Sequence, residues 1–292
     1  MPFVLAVLSS MLYGVADFLG GMGSRRGPVI AVTAWFQVTG LAILIVYALF
    51  APCVTRATDL AWAAGSGAAG GLGVTLLYRA LASGTVSTAA PLISMIALTV
   101  PVIVGIASGE RPGVLPLAGI ALGIVAVALI SAKPEETDPA SRAPTGAGQR
   151  AGPAVPAGTP LLLAAASGVL IGLFLVCLGR VAAGASGWPL VAGRASASVC
   201  LWGIAFLSHT PVALPKAARP PMLGAAITDV SANVLYLMAV QRAPLSLVAT
   251  LVSLAPATTV LLAQLVLRER LAPRQRVGVV AALVAVVLLA QG

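Results

Sequence analysis

Residues 87–111 read STAAPLISMIALTVPVIVGIASGER, and residues 246–270 read SLVATLVSLAPATTVLLAQLVLRER. Laid over one another without a gap, Ser87, Ala90, Leu92, Ser94, Thr99, Glu110 and Arg111 meet Ser246, Ala249, Leu251, Ser253, Thr258, Glu269 and Arg270. Seven identities in 25 positions exceed the roughly two or three that so skewed a composition gives by chance. One residue out of step, Tyr78 and Tyr236 open similar segments, Tyr78-Arg79-Ala80-Leu81-Ala82 and Tyr236-Leu237-Met238-Ala239-Val240. An internal repeat of this length decides how the rest of the chain is read.

The chain around these stretches is made for lipid. Of 292 residues, 59% are hydrophobic and 9% charged, with a mean hydropathy of +1.04. Soluble domains are about 45–50% apolar and about 25% charged. A spanning helix needs about 20 apolar residues, since each rises about 1.5 Å across about 30 Å of hydrocarbon. Ten such runs occur, roughly at 3–22, 29–50, 59–80, 86–108, 113–132, 160–181, 188–208, 221–240, 245–267 and 274–291. The N-terminal run has no basic stretch before it and no evident cleavage site, and reads as a retained first helix.

The repeated stretches are the fourth and ninth runs, and the two tyrosines lie in the third and eighth. Helix n therefore maps onto helix n+5. After five crossings the chain stands on the opposite side of the bilayer, so the second copy enters upside down. Inverted repeats of this kind place a binding site near the midplane of secondary transporters and support alternating access. The expected fold is an all-α polytopic membrane protein of ten transmembrane helices in two inverted five-helix repeats.

Residues 133–159 break the pattern, being rich in Pro, Gly and Ala with mixed charges. They read as a flexible solvent-exposed linker. The organisation is thus a first repeat at 1–132, the linker at 133–159 and a second repeat at 160–292.

Ten helices with an Arg-Glu-Arg or Gly-Glu-Arg exit after a Tyr-led segment resemble an EamA-type transporter of the drug/metabolite transporter superfamily. The resemblance covers nearly the whole chain outside the linker. It implies a central cavity lined mainly by helices 1, 3, 4, 6, 8 and 9, without implying a substrate. Pro256 stands where such proteins often carry proline in both halves; the first half has Ala97 there, with Pro91 and Pro101 nearby.

Ionisable groups inside a span cost about 2.5–3.5 kcal/mol on insertion scales and so face protein or a water-filled cavity. Asp17, Arg194 and Asp229 are such groups. Asn233 follows Asp229 by one helical turn on the same face. Gln37 is the approximate counterpart of Arg194 in the second helix, where similar transporters often carry Arg. These five, with Tyr78 and Tyr236, are the candidate substrate- or proton-binding residues. Arg194 has three readings at this point: binding a substrate anion, pairing with Asp17 or Asp229, or snorkelling to the surface. Asp17 lies near the end of helix one, within reach of neutralisation by Arg25 and Arg26. Glu110 and Glu269, beside arginines at helix exits, read as solvated pairs at the headgroups.

Other function classes find little support. The net charge of +9 is scattered between apolar runs rather than gathered with aromatics on a face, which argues against nucleic acid. Gly184-Ala185-Ser186-Gly187 resembles a rhomboid-type serine motif, but the single histidine, His209, stands about 33 Å away along helix seven. A nucleophile and base must be within hydrogen-bond reach. Cys53, Cys177 and Cys200 form no paired or metal-binding spacing, and no cofactor or metal is expected. The expected partners are a small-molecule substrate, the bilayer of the cell membrane and protons as coupling ion. A non-transporting receptor or scaffold subunit is the alternative.

Basic residues orient the chain. The side bearing the termini holds Arg56, Arg111, Arg180 and Arg242; the linker side holds the other twelve, Arg194 aside. Lys and Arg accumulate in cytoplasmic loops, which places the linker in the cytoplasm and both termini outside, whereas similar transporters usually keep their termini inside.

Overall fold

In hydrocarbon every backbone N–H and C=O must be satisfied within its own segment, so long apolar runs become helices. The computed structural model describes residues 1–50, 55–82, 86–131, 159–185, 187–268 and 272–291, and no strand occurs among them. The helices are α1 (Pro2–Ser24), α2 (Val29–Phe50), α3 (Ala57–Ala82), α4 (Val86–Ala107), α5 (Val114–Ser131), α6 (Thr159–Gly179), α7 (Gly187–Leu207), α8 (Arg219–Val240), α9 (Leu245–Val252), α10 (Ala255–Leu267) and α11 (Pro273–Leu289). A 3-10 turn, Lys216–Ala218, leads into α8. Nearly all of the sequence-predicted linker lies outside the described residues; its last residue, Thr159, begins α6.

Nine of the ten expected helices form as single elements. The ninth is broken: α9 ends at Val252 with Ser253 as its C-cap, and Leu254 is the N-cap of α10. Pro256 explains the break, because it has no N–H to donate and its ring would collide with the carbonyl of Val252 one turn back. In the first half Ala97 occupies that position, and α4 runs unbroken through it. Together α9 and α10 make the ninth span, so ten segments cross the bilayer; eight of them are long and apolar enough to do so on length and composition alone.

The packing map carries the repeat into three dimensions. α1 packs on α8 as α3 packs on α6; α3 on α7 as α2 on α8; α4 on α6 as α1 on α10. α2 meets α7, α5 meets α11 and α4 meets α9. Exchanging the halves sends each of these pairs onto another or onto itself, which is the signature of two inverted five-helix repeats about a pseudo-two-fold axis. The backbone repeats too. Gly109 after α4 and Arg268 after α10, equivalent in the gapless alignment, both turn left-handed, with φ of 98° and 56°.

Small residues bring the helices close, since packing rather than the hydrophobic effect drives association in lipid. A Cβ placed on Gly67 of α3 would stand 1.8 Å from the Gly193 carbonyl oxygen of α7, so α3 and α7 touch backbone to backbone. Large apolar side chains such as Leu49, Val199, Phe206 and Leu265 are instead exposed on the outer surface, where their solvent is lipid.

Candidate transport cavity

Between the halves lies a cavity of about 640 Å³, walled by α1, α2, α3, α4, α6, α7 and α8. The expected lining from α9 is absent, because residues Ser246 to Val252 are all buried in packing against α4 and α1. α2 and α7 take its place, bringing Gln37 and Arg194 into the wall. The wall grades along its length. On the linker half Asp17 and Gly21 of α1 are exposed beside the buried Val32, Ile93 and Met222, whereas at the other end Leu44, Ala63, Leu178 and Leu190 are 2%, 0%, 3% and 4% exposed. The cavity is therefore open on the linker side and shut on the side of the termini.

At its centre the polar residues of three helices converge. Arg194 of α7 forms an ion pair with Asp229 of α8 and donates to the Gln37 carbonyl of α2. The Asp229 carboxylate also accepts from Asn233 Nδ2 at 3.0 Å, one turn further along α8. The guanidinium lies 5.2 Å over the Phe36 ring, a cation–π distance. Gly40 leaves room for it, since a Cβ there would meet Arg194 Nε at 2.9 Å. Of the three sequence readings of Arg194, pairing with Asp229 is the one the geometry contains. Gln37 and Arg194 are repeat counterparts, and they meet because α2 and α7 face each other across the pseudo-two-fold axis.

Asp17 stands apart from this cluster. It lines the cavity rather than the headgroup region, and no hydrogen bond or ion pair joins its carboxylate to any described residue. One turn earlier, Tyr13 also lines the cavity, and its buried hydroxyl has no partner among the described residues. Tyr236 lies outside the wall: it is 0% exposed and donates to the Leu175 carbonyl at 2.8 Å, tying α8 to α6. The Tyr78 side chain lies outside the described residues, as do Ser186 and Glu269. Gly187, next to Ser186, begins α7 while His209 follows its far end, so a helix length separates the two ends of the serine-protease reading.

The shut end is held by contacts that sequence reasoning missed. Glu110 is no solvated headgroup residue; its carboxylate accepts the Leu245 N–H at 2.6 Å and the Ser246 N–H at 3.0 Å, capping α9 from the opposite repeat. A helix start leaves such N–H groups without partners, and α9 has no side-chain cap of its own. Asp59, 2% exposed, accepts the Ala182 N–H at 2.9 Å, again between halves. Arg180 donates to Ser108 Oγ at 2.8 Å. The only hint in the sequence was the Glu-Arg pair conserved between the two repeat stretches, and it did not reveal the partner.

An all-helical polytopic fold of two inverted five-helix repeats around a central cavity defines a protein of membrane-transporter architecture. The model of the EamA-like transporter family matches residues 1–132 and 158–291. The chain therefore belongs to the EamA-like transporter family, within the drug/metabolite transporter superfamily, whose members are transporters rather than enzymes. A solved crystal structure of another protein aligns over 98% of this chain and 95% of its own with a TM-score of 0.72 at 18% identity, a likeness of fold. No curated protein matches the sequence.

Proposed function

We propose that this protein is a secondary exporter of a small metabolite, amino-acid-like compound or drug, working by alternating access and coupled to protons. The observation that carries the reading is the cavity's asymmetry: open on the linker side, shut on the other by contacts that cross between the repeats. Two inverted halves can rock about a fixed site and exchange which side is shut. The arrangement fits one end state of that cycle. With the linker side cytoplasmic, as the basic residues favour, the open state loads from inside the cell.

Roles within the cavity follow from what each group already holds. Arg194, Asp229, Gln37 and Asn233 form a satisfied cluster that ties α2, α7 and α8 together at mid-depth, a structure suited to positioning the wall. Asp17, unpartnered and facing the cavity, is the group free to exchange a proton or meet a ligand. Desolvation disfavours a lone carboxylate's charge, whereas water or a cation restores it; this is the physical basis for proton coupling there. The test is pH-gradient-driven flux of a metabolite and drug panel in proteoliposomes, wild type beside Asp17→Asn and Asp229→Asn. Gradient-driven flux lost in Asp17→Asn is the expected result. Flux in which both variants keep the wild-type pH dependence would remove the coupling role from these carboxylates.

A further inference from the structure

We infer that the cavity selects compounds bearing one positive charge and no negative one, an organic ammonium or similar cation held by Asp17 against an apolar, aromatic wall. This rests on reading the cavity as a transport site and narrows what that site accepts. The argument is one of charge. Among the described residues, the ionisable groups lining the cavity that carry charge are Asp17, Arg194 and Asp229. Arg194 and Asp229 cancel one another in direct contact. What remains, when Asp17 is ionised, is a single negative charge at that residue.

Each alternative substrate class meets a specific obstacle. An anion would need Arg194, but its guanidinium is taken by Asp229, Gln37 and the face of Phe36. Drawing it away would leave Asp229 a buried charge without its partner, which is strongly unfavourable. A zwitterion could offer its ammonium to Asp17, but its own carboxylate would then find no unspent cation on the described wall. A neutral compound gives the ionised Asp17 no partner and fits only with Asp17 already protonated. A monocation alone satisfies the ionised site.

Position and surroundings agree with this. Asp17 is seven residues from the end of α1, about 10 Å in from the open side, whereas Asp229 is about 15 Å in by the same helical rise. A ligand entering from the linker side therefore reaches Asp17 before the central cluster. The unpartnered Tyr13 hydroxyl is one turn away on the same face of α1. Phe174, Met222, Leu77 and Ile93 supply apolar wall for the body of the ligand, and aromatic faces attract ammonium groups.

The experiment uses four compounds of one shape and different charge: phenylethyltrimethylammonium, its neutral carbon isostere 3,3-dimethylbutylbenzene, 3-phenylpropanoate and phenylalanine. Binding of the tritiated cation to the purified full-length protein is measured directly, and the other three are added as competitors. Saturable cation binding is expected, with each competitor at least tenfold weaker. Asp17→Asn should weaken the cation at least tenfold, and Asp17→Glu, which keeps the charge, should restore most of it. Absence of saturable cation binding up to millimolar concentration, equal competition by the neutral isostere, or unchanged binding in Asp17→Asn would each overturn the inference. Counterflow of the same four compounds in proteoliposomes separates the two readings. Exchange of the anion or zwitterion in preference to the cation would keep transport and discard the cation class. Asp17-dependent cation binding without exchange of any compound would keep the cation site and discard transport.

Discussion

Arg194 and Asp229 are 9% and 15% exposed at the side chain, so neither charge can be left alone. Removing one partner of a buried pair costs about 3–5 kcal/mol, while removing both can be nearly neutral. Arg194→Gln and Asp229→Asn should each lower thermal stability in detergent, and the double variant should recover much of the loss. Additive losses in the double variant would show that the two charges do not depend on one another. A smaller effect is expected at Arg268, whose left-handed backbone suits glycine; Arg268→Gly should gain up to about 1 kcal/mol, and Gly109→Ala at the equivalent place should lose a similar amount. At this scale the sequence pointed to Asp17, Gln37, Arg194 and Asp229, all of which line the cavity, because a polar group is anomalous in a lipid-facing helix. It did not reveal which ones pair. Gln37 and Arg194 are 157 positions apart, and partnership over such a span depends on which helices are neighbours.

Among the elements, α9 is the one whose behaviour sequence patterning misjudged. Hydropathy runs evenly from Leu245 to Leu267 and so suggested one helix. The break follows from a single proline, whose effect on the backbone exceeds any signal in the apolar run. The short α9 that results begins at the shut end of the cavity, with Glu110 of the other repeat on its first N–H groups. A carboxylate at a helix N-terminus stabilises by hydrogen bonding and by the helix dipole, together about 1–2 kcal/mol. Because this cap joins the two halves, it favours the shut end specifically. Glu110→Ala should therefore shift the population towards opening on the side of the termini. A cysteine placed at Leu190, in a background lacking Cys53, Cys177 and Cys200, would report it. A membrane-impermeant maleimide applied from that side should label the Glu110→Ala protein several-fold faster than its parent. Equal labelling rates would mean that Glu110 holds α9 without holding the gate. A contrast is Gly67, where backbone lies on backbone: Gly67→Ala should cost about 1–3 kcal/mol or more by overpacking, seen as lost thermal stability whichever side is open.

For the whole molecule, the decisive property is that each repeat has an odd number of crossings. That much was legible from two 25-residue stretches, since five helices per copy leave no choice but inversion, and the reciprocal packing of α1 on α8 and α3 on α6 follows from it. The asymmetry between the ends of the cavity was not legible, because it depends on contacts such as Glu110 with α9 that distinguish one conformation from another. Its biological meaning turns on orientation. The linker side holds twelve basic residues and the other side four, and removing the linker's three still leaves nine. Positive-inside asymmetry of that size predicts the open mouth in the cytoplasm and both termini outside. Alkaline phosphatase fused after Gly292 should then be active, and a fluorescent protein fused there should stay dark. The opposite pattern would place the same open cavity, with Asp17 inside its mouth, on the outer face. The conformation described would then be the one that receives ligand from outside in uptake, or discharges it in export, and the loading step would belong to the other end of the cycle.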